Sequence, residues 1–240
     1  FLAFFTVAAV SLCLLGFTQA GCKTSDERDF RFVFATDIHI QPENRAVEGF
    51  TKAITHINNL KPKPQFVITG GDHIMKEDDT DFERADLLFN LFQSTSKKFE
   101  MPVYHTMGNG DLFGWPEING IDSSHPEFGK EMFKKRLGDG KTYRSFDYSG
   151  WHFILLDSLE KEEEIAYHGF INAVQLEWLK EDLEETGIER PICIALHIPL
   201  VSMITQIRSD TLPLPTRKMY VNNGAEVIKL LSKYNVRLVL

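Results

Sequence analysis

The sequence predicts an α/β fold built from layers of strands and helices. From residue 31 onwards, short runs rich in Val, Ile and Phe alternate with longer segments whose apolar residues recur at helical spacing. Such alternation is typical of α/β layers. No repeat, low-complexity tract or linker rich in Pro and Gly interrupts the pattern, so we predict one domain over residues 31–240.

The individual elements follow from short apolar runs and from the helical patterns between them. We predict strands at 31–38, 65–69, 102–107, 142–148, 151–157, 191–196 and 236–240, and helices at 45–60, 80–98, 126–137, 173–186 and 224–234. Ser149-Gly150 separates two strand-like runs with no helix between them, which predicts an antiparallel hairpin.

The first 21 residues predict an export signal that is not part of the fold. Residues 1–21 carry no charge, and the small residues Ala20 and Gly21 precede Cys22. The pattern resembles a bacterial lipoprotein signal. We therefore expect a periplasmic or cell-envelope location, membrane attachment through an acylated Cys22, and a short linker over residues 22–30. Simple cleavage and an uncleaved membrane anchor are the alternatives, since about 20 apolar residues can span a bilayer.

Composition leaves room for a full core but gives no support to a nucleic-acid partner. Of the 240 residues, 43% are hydrophobic, which is enough for the core of a sizeable domain. The formal net charge is -8 without any block of Lys and Arg, so a phosphate backbone would meet no basic surface that the sequence reveals. If Cys13 leaves with the signal and Cys22 is acylated, Cys193 is left alone, and we expect it to be a buried, small apolar residue.

Polar side chains follow four of the predicted strands, at the point where each strand ends. Asp37 and His39 follow the first strand, and Asp72 follows the second. Asn109 follows the third strand and His197 the sixth. Singly, each residue is explained as a helix cap, a turn residue or a hydrogen-bonded core histidine. Together they supply two carboxylates, an amide oxygen and two imidazoles at the strand edge where ligand sites form, a set that suits Mn, Fe or Zn.

The local spacing suggests how these side chains could meet. In an extended chain, residues i and i+2 point to one face, so we expect Asp37 and His39 to reach a single cation from the end of a strand. Gly71 before Asp72, and Gly108 before Asn109, allow backbone angles that hold short side chains close to a metal.

The order of these motifs resembles that of the calcineurin-like metallophosphoesterases. The matching blocks are Asp37-Ile-His39, Gly71-Asp72, Gly108-Asn109 and the histidine of HIPL, and the resemblance covers roughly residues 31–240. It implies a layered β-sandwich flanked by helices. The segments FDYSGWHFILLDS and QLEWLKEDL are also similar to the middle part of this family.

The resemblance implies a role for each matching residue. Asp37 and His39 would hold the first of two divalent metal ions, Asp72 would bridge both, and Asn109 and His197 would hold the second. Asp72 and Asn109 would thereby also serve catalysis. A pair of ions about 3.5–4 Å apart clamps phosphate oxygens and activates a water as the nucleophile.

Two departures from the family pattern bear on catalysis. The third block normally continues Gly-Asn-His, whereas position 110 is Gly and is followed by Asp111. The missing histidine is the one that usually contacts the phosphate and protonates the leaving group. The family's late Gly-His-x-His block would follow a strand such as VRLVL, and we expect it, with the final strand, beyond Leu240.

His73 and His105 are not expected to be ligands: His73 would lie at the surface or behind a ligand, and His105 would be structural.

These observations predict a metal-dependent phosphoester hydrolase acting on a small-molecule phosphoester, as a phosphatase or a phosphodiesterase. Two alternatives stay open. One is a catalytically weakened or inactive member of the same fold that still binds metal and phosphate, because Gly110 replaces the histidine. The other is a periplasmic solute-binding lipoprotein, which shares the signal and the α/β pattern but leaves the ordered metal ligands unexplained.

Overall fold

Strands and helices alternate along the chain, as the sequence predicts. The computed structural model describes residues 29–76, 80–115, 121–162, 166–203 and 216–240. Its strands are β1 (Phe32–Ala35), β2 (Phe66–Thr69), β3 (Val103–His105), β4 (Arg144–Tyr148), β5 (Trp151–Leu155), β6 (Leu159–Glu162), β7 (Ala166–Gly169), β8 (Ile192–Ala195) and β9 (Val236–Val239). Its α-helices are α1 (Ala46–Asn58), α2 (Phe82–Ser96), α3 (Glu131–Arg136), α4 (Ala173–Thr186) and α5 (Gly224–Leu231).

The strands of the described residues are arranged in two main sheets and a small hairpin. The first sheet is parallel, with the order β1-β2-β3. The second has the order β4-β5-β8-β9, in which β4 is antiparallel to β5 and the other pairs are parallel. The strands β6 and β7 form the hairpin. Parallel strands place their carboxyl ends at one edge of each sheet, which is where the predicted site residues follow.

The two main sheets pack face to face through an aromatic and aliphatic core. Phe66 and Ile68 of the first sheet belong to the same buried cluster as Phe153 and Leu155 of the second. The rings of Phe66 and Phe153 lie 5.1 Å apart at an interplanar angle of 83°, the edge-to-face geometry that aromatic pairs prefer. A second, larger cluster lies beneath the helices. The predicted β-sandwich flanked by helices is confirmed.

The helices begin and pack where their sequences direct them. At the start of α2, the carboxylate of Asp81 accepts a hydrogen bond of 2.8 Å from the backbone N–H of Arg84. Within α2, Ala85, Leu88, Phe89 and Phe92 are fully buried, at the spacing of one helix face. At the start of α4, Asn172 caps the N–H of Gln175 at 2.9 Å.

The differences from the predicted elements are confined to element ends and to one hairpin. Ser149 and Gly150 both have positive φ, 47° and 82°, as a tight two-residue turn requires, so the predicted hairpin is confirmed. The helix predicted at 126–137 is only the six residues of α3, because Gly129 lies before it with φ 64°. The hairpin of β6 and β7 was not predicted, because β6 (LEKE) is mostly charged and neither it nor β7 (AYHG) contains an apolar run.

The predicted export signal lies outside the described residues, as does Cys22. Within the ranges that the structure describes, no helix combines the length and the hydropathy needed to cross a bilayer. Cys193 is buried in β8 without a disulfide partner, as expected, and burial raises the pKa of its thiol to about 12.

One buried histidine ties β5 to its hairpin partner and to α4. His152 Nδ1 lies 2.7 Å from Asp147 Oδ1, and its Nε2 lies 2.8 Å from Asp182 Oδ2. Burial lowers the pKa of His152, but the hydrogen bonds and charges of Asp182 and Asp147 outweigh it and raise the pKa above its ordinary value. The protonated imidazole therefore stabilises the folded state.

We expect His152→Gln to destabilise the protein more at acidic than at alkaline pH. Because the folded-state pKa is raised, the contribution of His152 is fully present below its unfolded pKa of about 6.5 and is lost as pH rises through the folded value. The loss should be about 1.5–3 kcal/mol at pH 5.5 and smaller at pH 9, measured by urea unfolding. The exposed His56→Gln serves as control. Equal losses at the two pH values would contradict this account.

Candidate metal centre

The loops that follow β1, β2, β3 and β8 bring the five predicted ligands to one place. Asp37 and His39 follow β1, and Asp72 follows β2. Asn109 begins a short 3₁₀ turn after β3, and His197 follows β8 in the opposite sheet. The site therefore lies at the carboxyl edge of both sheets.

The backbone places Asp37 and His39 differently from the prediction. The strand predicted at 31–38 ends at Ala35, and Asp37, His39 and Asp72 have φ of 54°, 46° and 52°. The expectation that an extended chain aligns Asp37 with His39 was wrong, because the backbone of both residues is in the left-handed conformation. Backbone hydrogen bonds hold this loop, from Asp37 N to Gly71 O at 3.2 Å and from His39 N to Asp72 O at 3.0 Å. Each left-handed residue costs on the order of 1–3 kcal/mol, which is typical of functional sites.

Asp37, His39 and Asp72 form one half of the site. Each offers one ligand atom, and these atoms all lie within 4.8 Å of one another. His39 Nε2 lies 3.7 Å from Asp37 Oδ1 and 3.5 Å from Asp72 Oδ2. The side chains of Asp37 and His39 are 54% and 38% exposed, so this half is open to solvent. The other ring nitrogen of His39, Nδ1, is buried without a hydrogen-bond partner.

His197, Asn109 and Asp72 form the other half, which is more deeply buried. His197 Nδ1 donates to the carbonyl of Gly70 at 2.9 Å, which leaves Nε2 facing the site. That Nε2 lies 3.1 Å from Asn109 Oδ1 and 3.3 Å from Asp72 Oδ1. Two oxygens and an imidazole nitrogen thus converge, a donor set that suits a divalent cation.

Asp72 lies between the two halves. Its Oδ2 faces His39 while its Oδ1 faces His197, so the two oxygens are directed towards different imidazoles. Burial raises the pKa of Asp72 above its ordinary value, although the charge of His197 and the N–H of Gly110 act in the opposite direction. A buried carboxylate short of positive charge, set among imidazole and amide donors, fits divalent metal ions.

Glycine is required where the loops meet. A Cβ added to Gly108 would lie 2.2 Å from the backbone nitrogen of Asp72 and 2.4 Å from its Oδ1. A Cβ added to Gly71, whose φ is 96°, would lie 2.7 Å from Gly108 Cα and from His197 Nδ1. The loops after β2 and β3 and the imidazole of His197 therefore pack directly on one another.

Comparison with known proteins identifies a family for this chain. The family model described as calcineurin-like phosphoesterase matches residues 30–240. The chain belongs to the calcineurin-like phosphoesterase family. It is also similar to the probable glycerophosphodiester phosphodiesterase GpdQ of Arcobacter nitrofigilis, with 34% identity over 86 residues. That match covers 33% of this chain and 29% of the length of the relative.

Within this phosphoesterase fold, the region around Gly110 is occupied by buried polar groups. Gly110 donates its N–H to Asp72 Oδ1 at 2.6 Å, and a Cβ there would lie 3.1 Å from that oxygen. The next side chain, Asp111, points inward and accepts hydrogen bonds from the N–H of His73 at 2.9 Å and from His73 Nδ1 at 2.8 Å. Asp111 therefore does not take the place of the missing histidine.

His73 and His105 lie behind the proposed ligands, joined through a threonine. His73 is fully buried, so a surface position for it is wrong, and the position behind a ligand stays a prediction. Thr69 Oγ1 lies 2.6 Å from His73 Nε2 and 2.8 Å from His105 Nδ1. Burial lowers the pKa of His105 to about 3, so its imidazole is neutral. The sequence analysis did not find the partner Asp111, although its position directly after Asn109-Gly110 could have suggested it.

We expect Gly108→Ala to abolish metal binding, because its methyl group would displace Asp72. Gly49→Ala is the matched control, since nothing lies within 4 Å of a Cβ there and the residue is inside α1. That control should keep its metal and gain about 0.5–1 kcal/mol in unfolding free energy. Metal content after dialysis against Mn²⁺, measured by atomic emission, checks the pair. Full metal content in Gly108→Ala would show that the loops can move apart.

Proposed function

We propose that this chain is a metal-dependent phosphoester hydrolase that works with two divalent metal ions, Mn, Fe or Zn. The observation that carries the proposal is the position of Asp72, whose two oxygens face His39 and His197 on opposite sides. The membership of the family and the similarity of part of the chain to a probable phosphodiesterase also support it.

The residues divide the work between an open and a buried half. Asp37 and His39 would hold one ion beside solvent, where a phosphoester can enter. Asn109 and His197 would hold the other, and Asp72 would join the two. When bound, such ions neutralise phosphate oxygens and lower the pKa of water. The chain's own contribution is to keep these donors in fixed positions, with Gly70 O orienting the imidazole of His197.

Gly110 limits the choice of leaving group in this proposal. A glycine offers no proton, so the chain lacks at this position the acid that contributes roughly 10²–10⁴-fold with poor leaving groups. Nitrophenolate is a good leaving group and needs no protonation. Hydrolysis of nitrophenyl esters therefore tests the proposed activity without depending on the histidine that Gly110 replaces.

We expect the wild-type protein with Mn²⁺ to hydrolyse bis(4-nitrophenyl) phosphate or 4-nitrophenyl phosphate, and Asp72→Asn to lose both turnover and metal. The loss should exceed the roughly 10–100-fold typical of removing a residue that only supports a ligand, because Asp72 would supply charge to both ions. The matched control is Glu127→Gln, a carboxylate that is 4% exposed and paired with Lys135 and Arg136 away from the site.

The same assay separates the alternatives. Metal uptake without turnover of either ester would favour the weakened, metal-binding member of the fold. A wild-type protein that takes up no metal would overturn the hydrolase and would favour the solute-binding lipoprotein. Comparison of the diester with the monoester tells a phosphodiesterase from a phosphatase.

We also propose that the protein is exported and attached to a membrane through an acylated Cys22, which the uncharged run before it supports. When the genomic reading frame is expressed in a bacterial host, Cys22→Ala should move the protein from the membrane to the soluble fraction, as measured by immunoblot. Cys193→Ala, at the buried cysteine, is the control and should stay at the membrane. Retention of Cys22→Ala at the membrane would contradict lipid attachment.

A further inference from the structure

The loops after β2 and β3, which carry the proposed ligands Asp72 and Asn109, are joined by the buried carboxylate of Asp111. Asp111 is fully buried at the end of the 3₁₀ turn that begins with Asn109. Its Oδ1 accepts the backbone N–H of His73 at 2.9 Å. Its Oδ2 accepts the backbone N–H of Gly108 at 2.9 Å and lies 2.8 Å from His73 Nδ1. One side chain thus bonds the loop after β2 and the loop after β3.

These hydrogen bonds lie directly beside the ligands. His73 follows Asp72 in the chain, and Gly108 precedes Asn109. In the opposite direction, the N–H of Gly110 reaches Asp72 Oδ1 at 2.6 Å. The two loops are therefore joined on both sides of Asp72, once by its own carboxylate and once by the carboxylate of Asp111.

The backbone of Asp72 needs such a restraint. Its φ of 52° is in the left-handed region, which is less favourable than helical or extended angles even for an aspartate. A change of that angle would turn the carboxylate away from either His39 or His197. The hydrogen bond from His73 N to Asp111 fixes the peptide that immediately follows this angle.

We propose that Asp111 is a positioning residue that holds Asp72 and Asn109 at the spacing needed to retain both metal ions. The proposal rests on the proposed function for its metal, but its geometry is that of Asp111 and the two loops. Residues that orient metal ligands without touching the metal typically change metal affinity by about 10–100-fold when replaced.

The test compares the affinity of the purified protein for Mn²⁺ among three variants. Asp111→Asn keeps the shape of the side chain but places an N–H₂ group opposite one of its donors, and should bind Mn²⁺ about 10–100-fold more weakly. Thr69→Val removes the other hydrogen-bond partner of His73 at a site of equal burial and leaves Asp111 in place. The affinity of Thr69→Val for Mn²⁺ should lie within about twofold of the wild-type affinity. This limit is well below the roughly 10–100-fold loss expected for Asp111→Asn.

Each result decides one question. Equal affinities for wild type and Asp111→Asn would overturn the positioning role while leaving the proposed function intact. Equal weakening in Asp111→Asn and Thr69→Val would overturn it as well, since the effect would then be general loss of stability. Absence of Mn²⁺ uptake by the wild-type protein would refute the proposed function and, with it, the metal-retaining role.

Amide exchange in the wild-type protein decides the case in which Asp111→Asn fails to fold. In metal-free protein, the N–H groups of His73 and Gly108 should exchange as slowly as that of Thr106, which donates to Thr69 O at 2.8 Å within the sheet. Rapid exchange of both amides would mean that Asp111 does not hold the loops, and would overturn the proposal.

Discussion

Backbone contact between the loops after β2 and β3 leaves no space for a side chain at Gly108, and the site depends on that contact. The Asp72 carboxylate accepts the N–H of Gly110, so the loops meet through both van der Waals packing and a hydrogen bond. His197 then packs on Gly71 from the opposite sheet. The spacing of the sandwich, set by Phe66 and Phe153 in its core, brings this third loop within reach.

The strain in the ligand loops is balanced by ordered hydrogen bonds. Asp37, His39 and Asp72 all occupy left-handed conformations, which for non-glycine residues are unfavourable by on the order of 1–3 kcal/mol each. The bonds from Asp37 N and His39 N to the neighbouring loop offset part of this cost. Asp and His also suit these positions, since they tolerate left-handed backbone angles better than β-branched residues do.

Much of this site could be predicted from sequence, because strand ends and residue types are local properties. The five proposed ligand positions follow from apolar runs that end in Asp, Asn or His, and the order of the motifs indicated the family that the family model also gives. The left-handed backbone at Asp37 and His39 could not be found in this way, because it depends on hydrogen bonds to Gly71 and Asp72 about 35 residues away. Asp111 directly follows the third motif, but its pairing with His73 was missed because no local pattern joins residues that are 38 positions apart.

The unequal exposure of the two halves bears on how ions would enter and leave. The side chains of Asp37 and His39 are 54% and 38% exposed, whereas those of Asp72 and His197 are 8% and 9% exposed. An ion held beside solvent exchanges with chelators and free metal more readily than one enclosed by protein. In the proposed two-ion site, the inner ion would be the durable one, and occupancy of the outer position would follow the metal supply of the surroundings.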